Sequence, residues 1–197
     1  MRRVAAKTLD PSFRTELAGQ SRDYTESSSS LLFAFLLALL LIYLVLAAQF
    51  ESFKDPIIIL ITVPLSLFGA LLALKVTGQT LNIFSEIGII MLVGLVTKNG
   101  ILIVEFTRQK REKGMALANA VLEAAQARLR PILMTSLTAA LGMLPIALAL
   151  GAGAESRRPM GIAVVGGLLF GMVLTLFVIP AMILLFHGAR TEEVSDA

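Results

Sequence analysis

The residue in this chain with the most to do chemically is Lys98. It stands in Gly94-Leu-Val-Thr-Lys-Asn-Gly100, inside an otherwise apolar run from about Ile83 to Phe106. A lysine at the centre of a bilayer costs at least about 2.5–3.5 kcal/mol on insertion scales, so it normally faces a counter-charge or water. An ammonium near a span end can instead snorkel to the headgroups. Lys98 is eight residues short of Phe106, about 12 Å along a helix, which disfavours snorkelling. The chemistry open to such a lysine is a charge pair, or contact with water, inside the membrane.

Its counter-charge is not on its own helix. Glu105 is seven residues on and Glu86 twelve residues back, whereas helical ion pairs need a spacing of three or four. The other four apolar runs of the chain hold no acidic residue. The carboxylate that Lys98 requires is therefore expected from outside this chain. Other polar side chains fall in apolar surroundings too. Thr135, Ser136 and Thr138 sit in the first turns of a later run, where a hydroxyl commonly bonds its own helix backbone. Arg128 and Arg130 precede Pro131 and read by default as interfacial anchors, and His187 as an interfacial residue at the end of the last run. Gly167-Leu-Leu-Phe-Gly171 is a small-xxx-small pattern that lets helices approach closely, with Gly167 and Gly171 as candidate packing positions.

Soluble-enzyme constellations are missing. There is no Walker-type Gly-Lys-Ser/Thr loop. One histidine and no cysteine leave no zinc-ligand spacing. Glu86 and Glu105 are nineteen residues apart on one helix, about 28 Å, too far for a paired-carboxylate site. No cofactor, metal or nucleic acid is expected, and an intramembrane enzyme has no nucleophile–base pair to support it.

The elements that must position these residues are set by composition. Of 197 residues, 56% are hydrophobic and 16% charged, and the mean hydropathy is +0.83; soluble domains run nearer about 45–50% apolar and about 25% charged. A helix needs about 20 apolar residues to cross the hydrocarbon. Five runs qualify, at about 31–50, 56–74, 83–106, 131–150 and 160–186. Pro64, Pro145 and Pro180 lie inside runs as expected kinks, and Pro131 is expected at a helix start. In the connector Thr107–Arg130, Leu117, Val121, Ala125 and Leu129 recur every fourth residue, which predicts an amphipathic helix on the membrane surface. The sequence thus predicts an all-α membrane protein with five transmembrane helices plus one cytoplasmic interfacial helix. Residues 1–30 read as a polar arm without the apolar core of a secretory signal, and 188–197 as a tail.

Orientation follows from basic residues. With the connector in the cytoplasm, that side carries Lys54, Arg108, Lys110, Arg111, Lys113, Arg128, Arg130 and Arg190. Counting only arm residues near the first span, the other side carries Arg14, Arg22, Lys75, Arg157 and Arg158, a modest preference for a cytoplasmic C-terminus and an outer arm. An odd number of spans behind a polar arm is unusual, since many transporters are built from two repeated halves.

Four strings carry a family resemblance: Ala47-Ala-Gln-Phe-Glu-Ser-Phe53, Gly94-Leu-Val-Thr-Lys-Asn-Gly-Ile-Leu-Ile-Val-Glu-Phe106, Arg128-Leu-Arg-Pro-Ile-Leu-Met-Thr-Ser136 and Gly151-Ala-Gly-Ala-Glu-Ser156. From about Gly19 to about Phe186 the chain resembles the C-terminal membrane segment of resistance–nodulation–division transporters of the hydrophobe/amphiphile efflux type. The resemblance implies the last five of twelve helices, hence a fragment of a multidrug-efflux-type transmembrane domain. The arm would be the tail of a periplasmic domain. It further implies a trimeric inner-membrane pump that exchanges protons for hydrophobic or amphiphilic compounds or, in rhizobial members, nodulation-related products. A periplasmic adaptor and an outer-membrane channel would be its partners. Lys98 then matches the intramembrane lysine of the proton relay, which pairs with two aspartates of the N-terminal half. Thr135 matches the relay threonine, and Arg128 a basic residue towards the cytoplasmic end of the proton path. Where many relatives have Gln, this chain has Glu86. The alternative reading is a non-transporting membrane component that binds a partner membrane protein.

Overall fold

The computed structural model describes the backbone of residues 20–151 and 153–192, and side chains of residues 31–151 and 153–187. The arm's residues 1–19 and the tail's 193–197 lie outside the described residues. Six α-helices follow in order: α1 (Gln20–Phe50), α2 (Lys54–Leu60), α3 (Thr62–Val76), α4 (Ile83–Glu112), α5 (Leu117–Ala147) and α6 (Arg158–Glu192), the last preceded by a short 3-10 turn at Glu155–Arg157. Among the described residues, five helical stretches are long and apolar enough to cross a membrane, α2 and α3 together making one of them. The chain is thus a multi-pass membrane protein.

The kink expected at Pro64 takes the form of a break. Helix α2 ends at Leu60, Ile61 stands between, and α3 starts at Thr62. A proline ring clashes with the carbonyl four residues earlier, and four before Pro64 is Leu60. The Thr62 hydroxyl donates to the Ile59 carbonyl at 2.7 Å, so the broken turn stays hydrogen-bonded in an apolar setting.

Pro131 behaves differently from expectation. It lies inside α5, which runs unbroken from the connector into the fourth span. The connector helix is present, but it is the first half of a 31-residue helix and not a separate one. The missing N–H of Pro131 costs only one hydrogen bond, and Pro131 is exposed, so its ring meets no packed neighbour. The four-residue spacing also drifts. Each step of four advances about 40° beyond a full turn, which carries Leu129 out to an exposed position. The stripe that packs is Ala120, Val121, Ala124, Ile132, Ser136, Ala140 and Ala147.

Helix α4 starts with a device that its sequence encodes locally. The Asn82 side chain accepts from the Ser85 backbone N–H at 2.8 Å, and the Ser85 hydroxyl accepts from the Asn82 N–H at 2.8 Å. This reciprocal box satisfies two donors that a helix start otherwise leaves open. Asn82→Ala should lower resistance to unfolding by about 0.5–2 kcal/mol, read as a fall in the midpoint of a detergent-unfolding titration. With 30 residues, α4 is about 45 Å long, longer than the roughly 30 Å hydrocarbon. Its last turns must project into the polar layer. There Arg108 Nη1 donates to the Phe50 carbonyl at 2.9 Å, capping α1 just before the chain reverses through Glu51 at φ 49°.

Helix α6 is the hub, packed against α3, α4 and α5, and two apolar clusters flank its length. One, nearer the connector, joins Leu46, Phe50, Ile58, Ile59, Ile103, Ile132, Ile179 and Ile183. The other joins Ala70, Leu74, Leu92, Val96, Ala163, Val164 and Leu168. Glycines let α6 come this close. A Cβ on Gly167 would sit 2.2 Å from Leu92 Cδ2, and one on Gly171 3.0 Å from Ser66 Cβ. Helix α1 stands at the edge: of its residues 31–50, only Leu46 and Phe50 are buried.

Candidate functional site

Lys98 lies mid-way along α4, and the residues around it divide sharply by face. Val96, Thr97, Asn99 and Gly100 are buried against the other helices, whereas Lys98 is exposed. Phe84, Ile87, Met91 and Gly94 are exposed as well. Their alternating spacing of three and four draws one stripe down α4, so Lys98 is the cationic member of a face left uncovered among the described residues. It makes no ion pair or side-chain hydrogen bond among the described residues.

Asn99 sets the depth of that level on the neighbouring helix. Its Nδ2 donates to Ser136 Oγ on α5 at 3.0 Å, and both residues are buried. One residue earlier on each helix stand Lys98 and Thr135, so the two share a level of the bundle, and Thr135 is exposed too. The Thr135 hydroxyl donates to the Pro131 carbonyl at 3.0 Å and lies 3.2 Å from that of Ile132. It is turned onto its own helix and does not bond Lys98. Breaking the Asn99–Ser136 bond should cost little but measurably. A double-mutant cycle with Asn99→Ala and Ser136→Ala is expected to return a coupling of about 0.6 kcal/mol and no more than about 1.7, the range for such bonds in membrane proteins.

Further towards the connector the antiparallel register continues. Phe106, eight residues past Lys98, meets Arg128, seven before Thr135: Arg128 Cζ stands 4.7 Å from the Phe106 ring centroid. One more turn on, Lys110 pairs with Glu123 and also lies 5.6 Å from the centroid of Phe106. Lys98 and Thr135 thus form one level, and Arg128 stands about 10–12 Å from it along the helices, on the connector side. At the same end a cavity of about 380 Å³ is lined by Phe50, Asp55, Arg108, Arg111 and His187, among others. His187 Nε2 lies 3.4 Å from Asp55 Oδ1, joining the last span to the start of the broken second one. Glu86 opens onto a smaller cleft of about 220 Å³ between α1, α3 and α4, walled by Leu31, Leu32, Phe35, Leu67, Ile89 and Ile90. No cluster of three or more His, Cys, Asp or Glu that could hold a metal ion occurs among the described residues.

Sequence reasoning overlooked two of these features. An asparagine beside the lysine in an apolar run asks for a partner, and the hydroxyls of the fourth span were in view. Nothing local marked Phe106, because a phenylalanine at a span end is ordinary.

The model of the AcrB/AcrD/AcrF family matches residues 1–187. The chain belongs to that family of resistance–nodulation–division transporters. Among its relatives is an uncharacterized transporter of Haemophilus influenzae, 41% identical over 189 residues, covering 92% of this chain and 18% of that protein. The fold is similar to a heavy metal efflux pump solved in two crystal forms. Form II gives a TM-score of 0.79 at 34% identity over 94% of this chain and 19% of the pump chain. Form I gives 0.80 at 34% identity over 95% and 18%. The chain therefore spans about a fifth of the length of these family members. An uncovered stripe on α4 is what such a share of a larger helical assembly would present.

Proposed function

We infer that this chain supplies five helices of the transmembrane domain of a proton-driven export pump, and that Lys98 is its half of the relay. The observation that carries this reading is the placement of Lys98: mid-span, exposed, level with Thr135, and without a counter-charge among the described residues. In the proposed mechanism, the paired aspartates of an N-terminal half hold Lys98 while ionised. Protonating them releases the ammonium, and the helices re-pack around the altered charge. Thr135 can turn its hydroxyl from the Pro131 carbonyl to a released partner at the same depth. Arg128 stands where a proton would leave towards the connector. The same reading sets the protein in the inner membrane of a bacterium, with the arm periplasmic and the C-terminus cytoplasmic. It works there as a trimer with a periplasmic adaptor and an outer-membrane channel.

Hydrophobic and amphiphilic compounds are the first substrate class, from the motifs in Gly94–Phe106 and Arg128–Ser136. A heavy metal ion is the second, favoured by the pump whose fold the chain shares. The test is to co-express the chain with the N-terminal part of a family member and follow efflux of a lipophilic dye. Growth in heavy metal salts is scored alongside. Dye efflux that stops when a protonophore collapses the gradient supports the first class; metal tolerance without dye efflux supports the second. Neither activity, with the two parts still co-purifying, would instead favour a non-transporting component that binds a membrane partner.

A further inference from the structure

The geometry points to Phe106 as the residue that positions Arg128, holding its guanidinium on an aromatic face, with no ion pair among the described residues. The inference rests on the relay proposed above and deepens it.

Arg128 is half-buried at the α4–α5 contact, and its Nε is buried with no hydrogen-bond partner among the described residues. A buried, unsatisfied donor on a cation is costly. What faces the guanidinium is the Phe106 ring, 4.7 Å from Cζ to the centroid, well within the roughly 6 Å at which a ring face attracts a cation. Among the described residues, the carboxylates of Glu105, Glu112 and Glu123 on these two helices have other partners. Gln109 Nε2 donates to Glu105 at 2.9 Å, Arg108 Nε donates to Glu112 at 3.1 Å, and Lys110 pairs with Glu123. Lys110 is itself drawn to the same ring. One phenyl ring thus helps keep Glu123 occupied by Lys110 and gives Arg128 a site that needs no anion.

The consequence is chemical. An arginine locked to a carboxylate contributes almost no net field, whereas one resting on a neutral ring keeps its full positive charge. A fixed positive charge about 12 Å from Lys98, on the connector side, raises the energy of a proton that passes it and so sets the barrier between the relay level and the connector end. Phe106 is a positioning residue in this scheme: it acts on the path only through Arg128.

The test has two arms. In the first, the full chain, labelled with ¹⁵N-arginine, is placed in nanodiscs of phosphatidylethanolamine and phosphatidylglycerol. The Arg128 Nε–H resonance is assigned by its loss in Arg128→Lys. Ring-current displacement of that resonance is expected in the wild type and in Phe106→Tyr, and is expected to vanish in Phe106→Leu. An unmoved Arg108 resonance reports that Phe106→Leu still folds. In the second arm, the same variants are co-expressed with the N-terminal part and proton-driven dye efflux is followed against pH. Phe106→Leu should lower the maximal rate by about threefold to tenfold with KM unchanged and a displaced pH profile, and Phe106→Tyr should restore both. A wild-type resonance without ring-current displacement overturns the geometry. Displacement lost in Phe106→Leu, with rate and pH profile unchanged, overturns the positioning role. Failure of the relay itself shows separately, as efflux that survives Lys98→Ala whatever stands at position 106.

Discussion

Lys98→Ala is expected to abolish proton-driven efflux from the reconstituted pump, to about one hundredth of the wild-type rate or less. Removing one member of a buried ion pair leaves the other uncompensated, at a cost of about 3–5 kcal/mol; each 1.4 kcal/mol is about tenfold. Lys98→Arg should recover only part of the rate, since a planar, permanently charged fork does not replace a compact ammonium. The effect on the chain alone runs in the opposite direction. Here Lys98 is exposed on a lipid-level face without a counter-charge among the described residues. Alanine removes the insertion cost of about 2.5–3.5 kcal/mol, so yield and detergent resistance of the isolated chain should rise. A variant that inserts better and transports nothing separates a functional charge from a structural one. Efflux that persists in Lys98→Ala would sink the relay assignment.

The largest structural effect is expected at Gly161. A Cβ there would stand 2.4 Å from the Ala147 backbone nitrogen and 2.8 Å from its Cα. Backbone atoms cannot rotate aside, so any side chain forces α5 and the start of α6 apart. Gly161→Val should destabilise the chain by about 1–3 kcal/mol or more, measured as a lowered midpoint of detergent unfolding. Gly142 is the control: it is exposed on α5, and nothing lies within 4 Å of a Cβ added to it. Gly142→Ala should be neutral, or stabilise by up to about 1 kcal/mol through helix propensity. Equal effects at the two positions would mean that the close α5–α6 approach is not what holds the helices together. Gly167 meets Leu92 Cδ2, the far end of a side chain that can give, whereas Gly166 meets Ala73 Cβ, which the backbone holds in place, so a side chain at Gly166 should also cost stability.

These two sites mark the boundary between what composition specifies and what packing specifies. The spans, their number and their order follow from apolar runs, because the bilayer demands helices of a set minimum length. The isolation of Lys98 follows from spacing alone, since no acid stands three or four residues from it and none occurs in the other runs. The family was legible for the same reason: Arg128–Ser136 and Gly94–Phe106 are local strings, readable without a fold.

Tertiary structure decided the rest. Pro131 looked like a start and proved an interior residue, because one lost hydrogen bond at an exposed position does not outweigh a continuous packed stripe from Ala120 to Ala147. Pro64 looked like a bend and proved a break, and Thr62 supplies the bond that makes a break tolerable. That Asn99 meets Ser136, that Lys98 and Thr135 therefore share a level, and that Phe106 lies under Arg128 depend on the register of α4 against α5. Register between helices is set by the fit of side chains that are distant in sequence, such as Gly161 against Ala147. The sequence by itself determined that Lys98 is a charge in need of a partner; only the packed bundle determined which face it looks out from and what stands beside it.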